Sequence, residues 1–251
     1  MQFGNRVWPL FFYLCNPMGH KKLIRFEEIK TFPNVLQYPT DMAGTWKHFF
    51  HNNHPITLEL ACGKGEYALG LGRRNTESNF IGVDLKGNRI WVGAKKAQEE
   101  NLSNVAFLRT QIDRIDSYFE PGEVEAIWIT FPDPQLRMSK AKKRLTHPKF
   151  LRLYKRFLKP DGAIHLKTDS PVLYNFTRLV IDLYGLEMLK SYDDLYADEG
   201  ISEELKIKTY YEGLDIAGSR KVYFLSFRLN GNLATEKDEI LKQKLRETEA
   251  G

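Results

Sequence analysis

Cysteine is nearly absent from these 251 residues: Cys15 and Cys62 are the only two. They lie far apart and match neither a disulfide framework nor a zinc-ligand spacing, which points to a reducing, cytoplasmic compartment. Long hydrophobic runs are missing as well. The run Val7 to Cys15 is too short to cross a bilayer, follows a single Arg6 and lacks a small-x-small cleavage site, so neither a membrane span nor a signal peptide is expected. Met18-Gly19-His20-Lys21-Lys22 reads as a natural start, which makes the first 17 residues an expected leader. No internal repeat is visible. The most telling absence is local: Gln135 to Pro160 contains no Asp or Glu, yet carries ten Lys or Arg.

What is present suits one globular domain with extensions. A hydrophobic content of 42% and an aromatic content of 13% suffice for a full core. The net charge of +5 is modest, so its clustering matters more than its size. Segment patterns place an N-terminal extension, partly flexible, over residues 1–40, the main domain over 41–230 and a charged tail over 231–251.

From Pro55 onward short apolar runs alternate with helical periodicity. Strands are predicted over Ile56–Ala61, Asn79–Asp84, Val105–Thr110, Glu125–Phe131, Gly162–Thr168, Glu187–Leu195 and Lys221–Leu229. Helices are predicted over Glu66–Arg74, Lys86–Asn101, Pro148–Leu158 and Pro171–Tyr184. The expected fold is α/β: a doubly wound, seven-stranded, mostly parallel sheet with one antiparallel strand.

The first of these strands runs into Glu59-Leu60-Ala61-Cys62-Gly63-Lys64-Gly65-Glu66. Gly63 and Gly65 permit a tight turn and close approach of a ligand. Gly63-x-Gly65-x-x-Ala68 also satisfies the loose dinucleotide pattern, so the glycines alone do not discriminate. Two acids do. Glu59 is expected to face whatever lies over the turn, and Asp84 ends the next strand, where it can accept from two vicinal ribose hydroxyls. A carboxylate beneath the turn repels pyrophosphate and attracts a cationic ligand such as S-adenosylmethionine; the competing reading makes Glu59 the partner of a buried Arg.

Asp133 sits in Phe131-Pro132-Asp133-Pro134, between two prolines that fix φ on either side of it. The bland alternative is a turn residue. The acid-free segment that follows suits a polyanion, whereas a solvated helix face usually mixes signs. Lys21, Lys22 and Arg25 are read as an additional basic arm. Asp169 could act in a site or cap the helix beginning near Pro171. His48, His51 and His54 recur at intervals of three, but no fourth ligand is evident, so no metal site is expected. Cys62 reads as a small packed residue rather than a nucleophile.

Six ordered segments, ELACGKGEYALGLG (59–72), IGVDLKG (81–87), ITFPDP (129–134), KKRL (142–145), HLKTD (165–169) and TYYEG (209–213), resemble the bacterial tRNA (guanine-N7-)-methyltransferases over roughly Phe26 to Leu229. The resemblance implies a class I, Rossmann-like fold that uses S-adenosyl-L-methionine to methylate N7 of a guanosine in the tRNA variable loop. It further implies Asp133 as the catalytic residue. Glu59, Gly63, Gly65, Asp84, Gln111 and Asp133 would line the cofactor site, and Arg137, Asp169, Thr209, Tyr210, Tyr211 and Glu212 would meet the substrate. Partners would be tRNA, with no membrane and no metal, and the protein a monomer or homodimer. The family commonly has Asp or Asn at Gln111, which leaves Asp113 as the alternative contact to the adenine amino group. After the Asp-Pro pair the family usually continues Trp-Pro-Lys-Lys, where this chain has Gln135-Leu136-Arg137-Met138. A small-molecule methyltransferase on the same sheet and a catalytically inactive RNA-binding homologue remain competing readings.

Overall fold

The alternation of apolar strands with amphipathic helices closes into a sheet covered on both faces. A computed structural model describes residues 17–216 and 218–250; the expected leader lies, but for Pro17, outside the described residues. The strands are β1 (Val35–Gln37), β2 (Ile56–Leu60), β3 (Asn79–Asp84), β4 (Val105–Arg109), β5 (Val124–Thr130), β6 (Leu158–Thr168), β7 (Glu187–Tyr192) and β8 (Tyr223–Arg228). Their spatial order is β1-β4-β3-β2-β5-β6-β8-β7. Only β8 runs against its neighbours, pairing antiparallel with both β6 and β7.

The sheet thus has eight strands where seven are predicted. The additional one, β1, pairs parallel with β4 from Val35↔Phe107 to Gln37↔Arg109. Its three residues are all only partly buried, too short a run to show period-2 alternation. It belongs to the stretch read as an N-terminal extension.

The helices are α1 (Pro17–Glu28), α2 (Trp46–Phe50), α3 (Glu66–Arg74), α4 (Gly87–Glu99), α5 (Pro148–Tyr154), α6 (Pro171–Tyr184) and α7 (Lys237–Ala250). Residue alternation along the strands sends neighbouring side chains to opposite faces. Ile81, Ala106, Leu108, Ile127 and Leu225 join the core beneath α2, α5, α6 and α7. Phe80, Val105, Phe107, Trp128 and Phe224 join the core beneath α3 and α4.

Local chemistry sets the helix ends. Ser170 accepts the Leu173 N–H at 3.3 Å to cap α6, Pro171 occupies its first turn, and Gly185 ends it at φ 64°. His147 Nδ1 accepts the Lys149 N–H at 3.1 Å and starts α5; burial lowers its pKa to about 4, so the ring is neutral and free to accept.

Phe107, fully buried, packs α3 and α4 onto the sheet in a socket of glycines. A Cβ on Gly65 would come within 2.3 Å of its ring, on Gly93 within 2.7 Å and on Gly82 within 2.8 Å. Gly65 also sits at φ 68°, as the residue before α3. Its smallness therefore serves helix–sheet packing as well as the turn.

Candidate functional site

The chain crosses the sheet one way from β2 through β3 to β4 and the other way from β5 to β6, so the order reverses between β2 and β5. The C-terminal ends of strands at such a reversal leave a crevice. Both strands leave it through strained residues: Ala61 follows β2 at φ 56° and Phe131 follows β5 at φ 46°. Non-glycine residues in this left-handed region cost roughly 1–3 kcal/mol each and persist where the surroundings over-determine them.

The turn after β2 is built on two carboxylates. Asp84 Oδ2 accepts the Gly63 N–H at 2.9 Å, and its Oδ1 accepts the Lys86 N–H at 2.7 Å. Glu59 Oε2 accepts the Ala68 N–H at 2.8 Å in the first turn of α3, and its Oε1 accepts the Thr130 hydroxyl at 2.9 Å. A pyrophosphate needs such turn and helix donors, and here acids already hold those of Gly63 and Ala68, which disfavours the dinucleotide reading. Glu59 is 2% exposed, and burial raises its pKa to about 8. Its oxygens are bonded inside the fold, beneath the turn, to Ala68 and Thr130, and among the described residues no buried Arg pairs with it. The same burial drives the Cys62 thiol pKa well up, in keeping with a packed residue and not a thiolate.

Three clefts adjoin along this edge. One of about 500 Å³ is lined by Asp84, Asp133, Asp169, Tyr211 and Leu136 among others. A second, about 550 Å³, shares Ala61 and Asp84 with it and adds Gln111, Asp113, Lys142 and Lys143. The third, about 330 Å³, shares Asp169 and adds Glu212. Asp84 therefore stands between the first two and Asp169 between the first and third. A larger groove of about 700 Å³ lies elsewhere, beside His48, His51 and Ala97. It brings together none of the expected site residues. His54 Nε2 lies 3.6 Å from Glu77, and among the described residues no group of three or more His, Cys, Asp or Glu could hold a metal.

Asp133 is exposed, and its Oδ1 accepts the Gln135 N–H at 3.0 Å. The carboxylate thus shapes the turn and lines the cleft at once. Asp169 lines its two clefts while Ser170 caps α6, so the capping role considered for Asp169 belongs to its neighbour. Gln111 and Asp113 share the second cleft, but Asp113 is ion-paired with Lys149. Arg137 is exposed just beyond Leu136, outside the clefts described.

The Thr209–Glu212 segment divides. Tyr211 lies over the turn, 3.7 Å from where a Gly63 Cβ would be, with the Arg89 guanidinium 5.5 Å from its ring. Tyr210 is 53% exposed, and its ring carries the Lys64 ammonium at 3.8 Å. Thr209 and Glu212 turn inward: Thr209 Oγ1 accepts the Glu212 N–H at 3.2 Å, and Glu212 Oε2 takes Lys167 at 3.1 Å. Lys167 is fully buried and also donates to Leu205 O and Ile207 O, both at 2.9 Å, and to the Tyr196 hydroxyl at 3.0 Å. Tyr196 in turn hydrogen-bonds Glu212. Sequence reasoning passed over Lys167 and Tyr196. The available signal was a lysine between Leu166 and Thr168 in a central apolar strand.

The acid-free segment is less uniformly available than its composition implies. Acids from elsewhere in the chain take Lys149 (Asp113), Arg152 (Asp238), Arg156 (Asp116) and Lys159 (Glu125). Arg144 is 4% exposed, with its guanidinium bonded to the carbonyls of Pro134, Gln135 and Leu136. The remaining open charge is on Arg137, Lys140, Lys142, Lys143 and Lys155, the last of which donates to the Gly231 carbonyl at 3.2 Å.

A family model described as "Putative methyltransferase" matches residues 53–225. The tRNA (guanine-N(7)-)-methyltransferase of Porphyromonas gingivalis is 49% identical over 213 residues, 80% of this chain and 86% of that protein. The protein of that name from Bacteroides thetaiotaomicron is 45% identical, over 84% of this chain and 87% of its own length. Among solved structures, the 16S rRNA methyltransferase KamB superposes with a TM-score of 0.56 at 14% identity, over 78% of this chain and 98% of that one. That likeness concerns the fold alone.

Proposed function

The chain belongs to the tRNA (guanine-N(7)-)-methyltransferase family, and from that premise we infer that it transfers a methyl group from S-adenosylmethionine to N7 of a guanosine in tRNA. The observation that carries the reading is the meeting of Asp84, Asp133 and Asp169 in one cleft at the strand-order reversal. The variable loop is the proposed location of the guanosine, and the cytoplasm the proposed compartment.

The donor set fits a cationic nucleoside. Asp84 spends one lone pair of each oxygen on a backbone amide and keeps the others for the two ribose hydroxyls. Gln111, whose side chain makes no cap bond, faces the second cleft as the acceptor for an adenine amino group. We place Glu59 under the turn, where a cation above would favour its ionised form. S-adenosylmethionine supplies an electrophilic methyl group on a sulfonium.

The protein's own part is chiefly alignment. Guanine N7 carries an in-plane lone pair, so no general base is required, and holding N7 in line accounts for most of the acceleration. As positive charge reaches the purine, the carboxylates of Asp133 and Asp169 stabilise it without reorganising. They can also accept from the guanine N1 and N2 hydrogens, which selects guanine over adenine. Arg137 and the open lysines of residues 140–143 meet phosphates, and Tyr211 bounds the cleft on the side of the turn.

Incubation with unmodified tRNA and labelled cofactor, followed by mass spectrometry of the nucleosides, should yield 7-methylguanosine. Label found on another base, or only on small molecules, refutes the reading. A small-molecule methyltransferase would in addition lack a steep fall of activity with salt.

A further inference from the structure

We propose that α3, α4 and the segment 205–210 carry a second surface for the tRNA backbone, on the face of the sheet opposite Arg137–Lys143. The inference rests on tRNA being the substrate and adds a place where it is held. Lys64, Arg73, Arg74, Lys96, Lys206 and Lys208 line a cleft of about 520 Å³, where Glu66 is the acid among the lining residues.

Neighbouring acids do not cancel this charge. Glu100 takes Arg73 at 2.6 Å and lies 3.9 Å from Lys96, while Glu203 takes Lys206 at 2.6 Å. With Glu66, that sets three carboxylates against six cations. Half-burial also raises the Glu66 pKa, which weakens the opposing charge at low pH. Exposed ion pairs of this kind are worth only about 0–1 kcal/mol, so a phosphate can displace them cheaply.

The two basic surfaces lie on different faces. α3 and α4 pack, with Leu205 and Ile207, on the face of Phe80, Phe107 and Trp128. Leu145 and Phe150, which follow the Arg137–Lys143 segment, pack on the face of Ile81, Leu108 and Ile127. Both surfaces reach the clefts at the C-terminal edge of the sheet. Lys64 belongs to the glycine turn itself and leads from the cleft to the patch. Its ammonium covers the exposed ring of Tyr210, an aromatic beside a basic groove on which an unpaired base can stack. A nucleic acid whose target guanosine sits over Asp133 would thus be held by phosphates on both sides of the sheet edge.

The test is the triple reversal Arg74→Glu, Lys96→Glu, Lys206→Glu, with tRNA binding followed by fluorescence anisotropy across a salt series in the presence of S-adenosylhomocysteine. Each lost phosphate contact removes about 0.7–0.9 from the slope of log affinity against log salt. We expect the slope to flatten by roughly 2 and affinity at moderate salt to fall at least tenfold, with S-adenosylhomocysteine affinity by calorimetry unchanged. A wild-type slope in the variant overturns the second surface and leaves the proposed activity standing. Failure of the wild-type protein itself to bind tRNA overturns both. If the reversals disturb cofactor binding, Arg74→Gln, Lys96→Gln, Lys206→Gln replaces them, and an unchanged slope there overturns the proposal equally.

Discussion

Lys167 Nζ lies 3.1 Å from Glu212 Oε2, and the two side chains are 0% and 5% exposed. The pair ties the end of β6 to the segment that carries Tyr211 over the glycine turn. Burial lowers the Lys167 pKa, but Glu212 and the hydrogen bond to it pull the other way. Lys167→Met should leave the Glu212 carboxylate buried and unpaired, destabilising the protein by about 3–5 kcal/mol. Adding Glu212→Gln should recover part of that loss. Urea denaturation of both single variants and the double variant tests the coupling; strictly additive losses would show that the pair is not a unit.

Asp84→Ala removes the acceptor proposed for the ribose and leaves the Gly63 N–H without its partner. Loss of hydrogen bonds to a charged group costs roughly 1.5–3 kcal/mol, so S-adenosylmethionine affinity should fall tenfold or more. Isothermal calorimetry gives the answer directly, and an unchanged dissociation constant would remove Asp84 from the cofactor site.

Asp133→Ala and Asp133→Asn should both lose methyl transfer while retaining the fold and most tRNA affinity, because phosphate contacts supply the bulk of that affinity. Asn keeps the shape of the side chain and its acceptor for the Gln135 N–H but not the charge. Single-turnover rates distinguish the roles: wild-type turnover in the Asn variant would reduce Asp133 to a turn residue.

Glu59 offers a pH signature in the cofactor-free protein. Its pKa is raised from 4.5 to about 8 by burial, so the folded state holds a proton that the unfolded chain has released between those values. Stability from this group is therefore full below pH 4.5 and is lost as pH rises through about 8. Glu59→Gln keeps an acceptor for Ala68 and does not titrate. Its stability relative to wild type should improve by roughly 2–4 kcal/mol from pH 5 to pH 8. A difference independent of pH would place the titration elsewhere.

Long periodic segments were the legible part of this fold. α3 and α6 occupy their predicted bounds, Glu66–Arg74 and Pro171–Tyr184, because turn glycine, Ser-Pro cap and terminal glycine mark their ends. β1 escaped because its pairing comes from β4 and not from any pattern of its own. Within the candidate site, Asp84, Asp133, Asp169 and Tyr211 line one cleft; the three acids follow or end strands, whereas Tyr211 is signalled only by the TYYEG resemblance. The inward hydrogen bonds of Thr209 and of Glu212, which also lines the third cleft, could not be read in sequence, since a motif does not show which way a side chain faces. The two turn glycines likewise look equivalent in sequence, yet Gly65 is required by Phe107 while Gly63 opens toward Tyr211.

The basic segment is where composition alone misleads most, and it separates two experiments. Lys142 and Lys143 are exposed at the mouth of the Gln111 cleft, whereas Arg144 next to them is buried against Phe176, its guanidinium 4.6 Å from the ring. Lys142→Glu with Lys143→Glu should therefore weaken tRNA binding and flatten its salt dependence by about 1–2 in slope, with the fold intact. Arg144→Glu would lose its bonds to three carbonyls and place an unpaired carboxylate in their midst, so it should unfold the 134–144 turn or the whole chain. Circular dichroism melting read beside the anisotropy titrations tells the two effects apart. A well-folded Arg144→Glu protein with selectively weakened tRNA binding would contradict the buried placement and return Arg144 to the RNA surface.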